Sequence, residues 1–272
     1  MTSLHGSNPV LTYVGGATLL IEIGNVRFLT DPTFDPGGTD YHEGVPLSKT
    51  GYPAVRSEEL PSIDAVLLSH DQHKDNLDNA GLAYLPRARS VLTTVSGANR
   101  LGENAVGLAA WRSHTVTSAD GTESVKVTAT PARHGPPGCE SYTGEVIGFC
   151  LEWQHSDGAI YISGDTVWFE GVAEVARRFR VELAVLFLGA AVIKQVGPQH
   201  HTMTAAEAVQ TALALNPKYI IPVHYDSWTH FSQGKAEASQ AFEAAGLQDR
   251  LKWLQAGRRT ALHLDVPGTP QM

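Results

Sequence analysis

SHDQHKDNLD, residues 69–78, follows directly on the apolar run AVLL (65–68) and packs two histidines, three aspartates and an asparagine into ten residues. It begins where a buried strand is expected to end. Side chains leaving a strand alternate, so Asp71, His73 and Asp75 are expected to project to one side and converge. Carboxylate and imidazole are donors that divalent cations accept. Asp75 also opens the helical pattern DNLDNAGLAYL (75–85), and the positive end of a helix favours a carboxylate. Taken alone, the stretch reads equally as a metal cradle or as a helix cap at Asp75 beside solvated loop polars.

The rest of the chain bears on that choice. VKVTATPAR is followed by His134, AIYISG by Asp165 and YIIPV by His224. One such residue at a strand end is usually a satisfied structural polar group. Several, gathered along one edge of a sheet sandwich, offer three carboxylates and three imidazoles, enough for two metal ions.

The chain has 272 residues, 42% of them hydrophobic, which suffices for a sizeable core. Its 20 basic and 28 acidic side chains give a formal charge of −8, which argues against nucleic acid or an anionic membrane as partner. No window reaches the ~18 apolar residues of a membrane helix, and the N-terminus lacks a leader pattern, so a cytoplasmic protein acting on a small-molecule substrate is expected. A homo-oligomer is allowed. The two cysteines, Cys139 and Cys150, are expected as free thiols. Strand-like runs dominate the first ~65 residues and alternate later with helical patterns at 168–179, 204–215 and 235–247, the second opened by a Thr204/Glu207 capping box. The irregular stretch 35–62 is too long for an ordinary connection and is read as a loop that covers a site.

In order along the chain, LTYVGGATLLIEIGNVRFLTDP, SHDQHKDNLD, TPARHG, YISGDT, TMTAAEA and IPVHYDSW resemble the metallo-β-lactamase fold superfamily of metal-dependent hydrolases, and within it the branch of ascorbate-6-phosphate lactonases and N-acylphosphatidylethanolamine phospholipases. The resemblance spans roughly residues 11–224 and implies an α/β four-layer αββα sandwich, here one hydrolase domain over 1–272. The superfamily's loop reads His-x-His-x-Asp-His. Anchored on Asp75, it places Asp71 and Asn76 where histidines are usual. An anchor on His70 is rejected because it puts Lys74, which cannot ligate, at a ligand position. Gly16 also stands where histidine is frequent.

Carried onto this sequence, the resemblance implies one ion held by Asp71, His73 and His134 and a second by Asp75, Asn76 and His224, with Asp165 bridging. Asp31 is either an orienting residue behind the ligands or a turn residue before Pro32. One or two divalent ions, zinc, manganese or iron, are implied. With three aspartates and a hydroxide cancelling two ions, the centre is expected to be neutral, oxygen-rich, tolerant of manganese or iron and best at mildly alkaline pH. Asp75 or water is expected to protonate the leaving group, and His201 and Tyr225 to polarise a substrate oxygen. Trp168, Trp228, His200 and His230 are read as wall residues. The activity implied is cleavage of a lactone or other carboxylic ester. The alternatives are a phosphodiesterase or phospholipase, against which the lack of an arginine cluster counts, and a non-catalytic binding protein that keeps the scaffold.

Overall fold

The computed structural model describes residues 8–43, 46–154 and 156–264. The first seven residues, read above for a leader, and the last eight of the 1–272 domain lie outside them. Three antiparallel strands, β1 (Val10–Gly15), β2 (Thr18–Ile23) and β3 (Val26–Thr30), open the chain, and two short strands, β4 (Asp40–Tyr41) and β5 (Leu47–Ser48), pair within the long loop. There follow β6 (Ala65–Leu67), α1 (Asn79–Tyr84), β7 (Val91–Thr93), α2 (Val95–Leu101), β8 (Ala105–Gly107), β9 (Ser113–Thr117), β10 (Ser124–Pro131) and α3 (Glu140–Thr143). The remainder is β11 (Ile147–Trp153), β12 (Ala159–Ile162), α4 (Glu170–Arg178), β13 (Val181–Phe187), α5 (Ala205–Leu215), β14 (Tyr219–Val223), α6 (Lys235–Ala244) and β15 (Arg259–Ala261).

The strands form two large sheets, ordered β15-β1-β2-β3-β6-β7-β8 and β14-β13-β12-β11-β10-β9. Strand alternation explains how they stack. In β2, Leu19, Ile21 and Ile23 face the second sheet, while Leu20 joins Leu29, Val66 and Tyr84 of α1 on the outer side. In β13 every residue is buried, as a strand covered on both faces requires. Leu183, Val185 and Phe187 point to the sheet–sheet core, and Ala184 and Leu186 point to a helical layer that includes Ala208 and Ala212 of α5 and Phe242 of α6. The fold is therefore a four-layer αββα sandwich of the metallo-β-lactamase type. Among the described residues, no helix is long and apolar enough to cross a membrane.

Direction decides where the site lies. Strands β12, β13 and β14 are parallel, and β10 and β12 both run antiparallel to β11. The residues after β10, β12 and β14 therefore leave the same sheet edge. In the first sheet β3, β6, β7 and β8 are parallel and bring the residues after β3 and β6 to one edge as well.

The Thr204/Glu207 capping box forms as expected. The helix expected from residue 75 instead starts at Asn79, with Asp78 as its N-cap, so no helix end faces Asp75. Asp78 has a larger task. Its carboxylate accepts from the backbone of Phe34 (2.9 Å), Asp35 (2.7 Å) and Gly81 (2.7 Å) and is paired with Lys49 Nζ at 2.8 Å, with both side chains buried. Lys49 lies in the 35–62 loop, so this contact pins the loop onto the histidine-rich segment. Removing one partner of a buried pair leaves an uncompensated charge. Asp78→Ala should therefore destabilise the protein by about 3–5 kcal/mol in denaturant unfolding, and adding Lys49→Met should recover part of that loss. An Asp78→Ala protein as stable as wild type would refute the role of the pair.

Candidate metal centre

Beyond β6 the chain does not continue as a strand. It coils through turns, with Asn76 and Leu77 donating back to the carbonyl of His73 (3.2 and 2.9 Å). Strict alternation fails there, and His70 and His73 face one another, three residues apart. His70 Nε2 lies 2.9 Å from His73 Nδ1, which lies 3.1 Å from Nε2 of His134. The three rings form a triangle with centroids 4.8–5.1 Å apart. A second group, Asp75, Asp165 and His224, is fully enclosed, with its donor atoms within 4.8 Å of one another. Asp165 links the two, with Oδ2 at 3.7 Å from His134 Nε2 and Oδ1 at 3.4 Å from His224 Nδ1.

Each expected residue can now be placed. His73, Asp75, His134, Asp165 and His224 are brought together. Asp71 is not: its carboxylate is clamped by Arg100 of α2 in a two-point ion pair (2.6 and 2.7 Å). His70, rejected on spacing, takes the place assigned to Asp71. The pattern tolerates one extra residue between the histidines because the segment is a turn rather than a strand. Asn76 reaches the centre, its terminal amide atom 3.3 Å from Asp75 Oδ1 and 3.2 Å from Asp165 Oδ2; with nitrogen inward it clamps the two carboxylates, and with oxygen inward it offers an ion a neutral donor weaker than imidazole. Tyr225 is a packing residue. His224 adopts φ 57°, and the next side chain stacks on Tyr13 (6.0 Å) and meets Trp253 edge-on (4.8 Å). His230, read as wall, instead sets Nε2 at 2.9 Å from Asp75 Oδ2. Its only sequence signal was its place six residues after His224.

The layer behind is hydrogen-bonded to hold these atoms still. Asp31 Oδ1 accepts from the Ser69 amide at 2.6 Å, and Ser69 Oγ meets His70 Nδ1 at 2.9 Å. Asp31 thus orients a histidine through the backbone while also forming the turn, at φ 27°. His134 Nδ1 donates to the His201 carbonyl at 2.8 Å, which fixes its tautomer and leaves the Nε2 lone pair directed inward.

The electrostatics fit a cation. Burial, together with neighbouring imidazoles, holds His70 and His134 well below the usual histidine range, so these rings meet as neutral lone-pair donors. Burial raises Asp165 to about 6. Burial opposes charge on His224, but Asp165 and Asp75 overcome it and lift the ring to about 9. Of the three buried carboxylates (Asp31, Asp75, Asp165), burial pushes Asp31 as well as Asp165 up from the usual range, so without an ion the group's charge is met by protons, on His224 among others. Asp165 Oδ1 and both ring nitrogens of His224 are buried without hydrogen-bond partners. Ligands at ~2.1 Å from one ion, at tetrahedral to octahedral angles, lie about 3.0–3.4 Å apart; His70–His73, His73–His134 and His224 Nε2–Asp75 lie at 2.9, 3.1 and 3.3 Å, within groups whose donor atoms all fall within 4.8 Å of one another. With His70 replacing Asp71, the aspartates supply one negative charge fewer. The expectation of a neutral, oxygen-rich centre is therefore corrected to a more positive one, with an all-imidazole first group.

Fold and centre together define a metal-dependent hydrolase of the metallo-β-lactamase superfamily. Residues 26–225 match the family model described as the Beta-lactamase superfamily domain, and the chain belongs to that family. A "UPF0173 metal-dependent hydrolase" of Pelotomaculum thermopropionicum is 30% identical over 250 residues, covering 86% of this chain and 92% of the relative. Among solved structures, the isothiocyanate hydrolase from Delia radicum gut bacteria superposes with TM-score 0.78 at 25% identity, over 93% of this chain and 99% of that one. A possible metal-dependent hydrolase from Veillonella parvula also reaches 0.78, at 17% identity, over 94% and 100%.

The placement of Asp71 and His70 can be checked by metal analysis. His70→Ala should lose at least one bound ion per chain, whereas Asp71→Ala should retain the wild-type content. Metal loss in Asp71→Ala with retention in His70→Ala would restore the alternating register.

Proposed function

We propose that this hydrolase opens a lactone or cleaves another carboxylic ester of a small uncharged molecule at a centre of two divalent ions. His70, His73 and His134 hold one ion, Asp75 and His224 hold the other, and Asp165 is shared. The observation that carries the substrate class is the wall of the cavity at the cluster's mouth. Leu47 of the long loop, Tyr142, Ala191, Ile193 and Val196 line it beside His73, His134 and His201, and its described lining includes no lysine or arginine. A phosphodiester carries a permanent negative charge that such a wall does not match. A neutral carbonyl compound fits it. The imidazole-only group suits zinc, and the carboxylate-rich group accepts zinc, manganese or iron.

When bound, divalent ions polarise the scissile group and bring the ionisation of water towards neutrality. The chain supplies the rest. Burial alone would raise Asp75, but His230 and His224 outweigh it and hold the carboxyl well below its usual range, so Asp75 stays ionised as a holding residue and is a poor proton donor. His201 is the better one. Its ring is buried at the cavity wall, neither nitrogen has a hydrogen-bond partner, and burial keeps it neutral, with one N–H to offer a substrate or leaving-group oxygen.

A second reading has its own observation. The likeness to isothiocyanate hydrolase extends over nearly both whole chains, and an isothiocyanate, like an ester, presents an electrophilic carbon without charge. A panel of lactones, aryl esters, isothiocyanates and bis-aryl phosphodiesters, assayed with zinc, manganese and iron, tests both. Highest kcat/KM on lactones or esters supports the first reading and on isothiocyanates the second; preference for phosphodiesters would overturn both. His201→Ala should lower kcat by about 10²-fold or more without changing metal content. An unchanged kcat would remove His201 from the chemistry.

A further inference from the structure

We propose that His230 is a direct ligand of the second metal ion, supplying through Nε2 an imidazole donor that the superfamily's loop pattern does not provide. The inference rests on the two-ion reading above. The second group contributes Asp75 and His224 with a share of Asp165, which is sparse for an ion that takes four or more donors. Asn76 adds at most a neutral amide oxygen, a weaker donor than imidazole.

His230 and His224 approach the same carboxylate oxygen. His230 Nε2 lies 2.9 Å and His224 Nε2 3.3 Å from Asp75 Oδ2. Both separations match neighbouring donors around one ion, about 3.0–3.4 Å for ligands at ~2.1 Å. Without an ion, a hydrogen bond from His230 Nε2 satisfies one of these contacts, but it leaves the other polar atoms unserved. His224 Nε2 has no hydrogen-bond partner at that distance, and His230 Nδ1 is buried with none. Two imidazoles converging on one ionised oxygen describe a site whose centre lies among them.

The ring of His230 is also held rigidly, as a ligand must be. Its carbonyl accepts from the Val192 amide at 2.9 Å, and the next residue, Phe231, bridges to Ala191. The ring packs between Trp228 (6.2 Å) and Phe231 (4.5 Å). Trp228 in turn bridges to Lys49, the residue paired with Asp78. The segment after β14 that carries His224 thus returns with a second imidazole, six residues on, to the same carboxylate.

The full-length protein loaded with cobalt(II) provides the test. Each coordinated histidine contributes one strongly shifted exchangeable N–H resonance in proton NMR. Five are expected in the wild type, from His70, His73, His134, His224 and His230, at two ions per chain. His230→Gln should lose one of these resonances and release the second ion at least about tenfold more readily in equilibrium dialysis, while keeping the first. Two ions with only four resonances in the wild type would overturn the assignment of His230 and leave the two-ion reading intact. One ion with three resonances would overturn both. The wild-type spectrum decides even where the variant fails to fold, and neither readout depends on the substrate.

Discussion

Carboxylates buried together at the sheet edge are the constraint around which the molecule is organised. Asp31, Asp75 and Asp165 are buried beside imidazoles, two of which burial keeps neutral, and the Lys49–Asp78 pair is spent elsewhere. An enclosed carboxylate needs a positive partner; without an ion, protons fill that role, lifting His224 to about 9 and Asp165 to about 6, and a divalent ion would displace them. The gathering of each group's donor atoms within 4.8 Å, the closest pairs at 2.9–3.3 Å, is the spatial form of the same requirement.

Holding those atoms in place falls to backbone and packing. The strands that end at the site are rigid because they are covered on both faces, so the residues after β10, β12 and β14 emerge at fixed positions. The segment after β6 has no strand to hold it, and its order comes from specific contacts: Asp31 on the Ser69 amide, Asp78 on Phe34, Asp35 and Lys49, and Arg100 on Asp71. Asp71 serves the centre from outside, anchoring the histidine loop to α2. The loop over 35–62 brings Leu47 to the cavity wall beside the same Lys49 contact, which ties that wall to the histidine loop.

The αββα fold was legible through the ordered motifs that resemble the superfamily, and the strand-end positions of His134, Asp165 and His224 and the capping box at Thr204 because each depends on local order: a run of apolar residues, its end, and a residue a fixed number of places beyond. His70 and Asp71 were exchanged because alternation was carried past the end of β6 into a turn, where neighbouring side chains no longer take opposite sides. Tyr225 was misplaced for a related reason, since the left-handed backbone at His224 sends the following side chain into the aromatic packing around Tyr13. Short elements such as β8, β15 and α2 carry too few residues for a periodic signal and exist through their neighbours.

Composition and pattern alone determined that this chain builds a sheet-rich core covered by helices, with oxygen and nitrogen donors at strand ends, since periodicity and chain order are properties of the sequence itself. Which donors meet was decided only in three dimensions. The choice of His70 over Asp71, the turning of the Asn76 amide towards two carboxylates, and the arrival of His230 beside Asp75 all depend on where turns direct side chains and on what charge lies opposite, and neither is encoded in the spacing of residues along the chain.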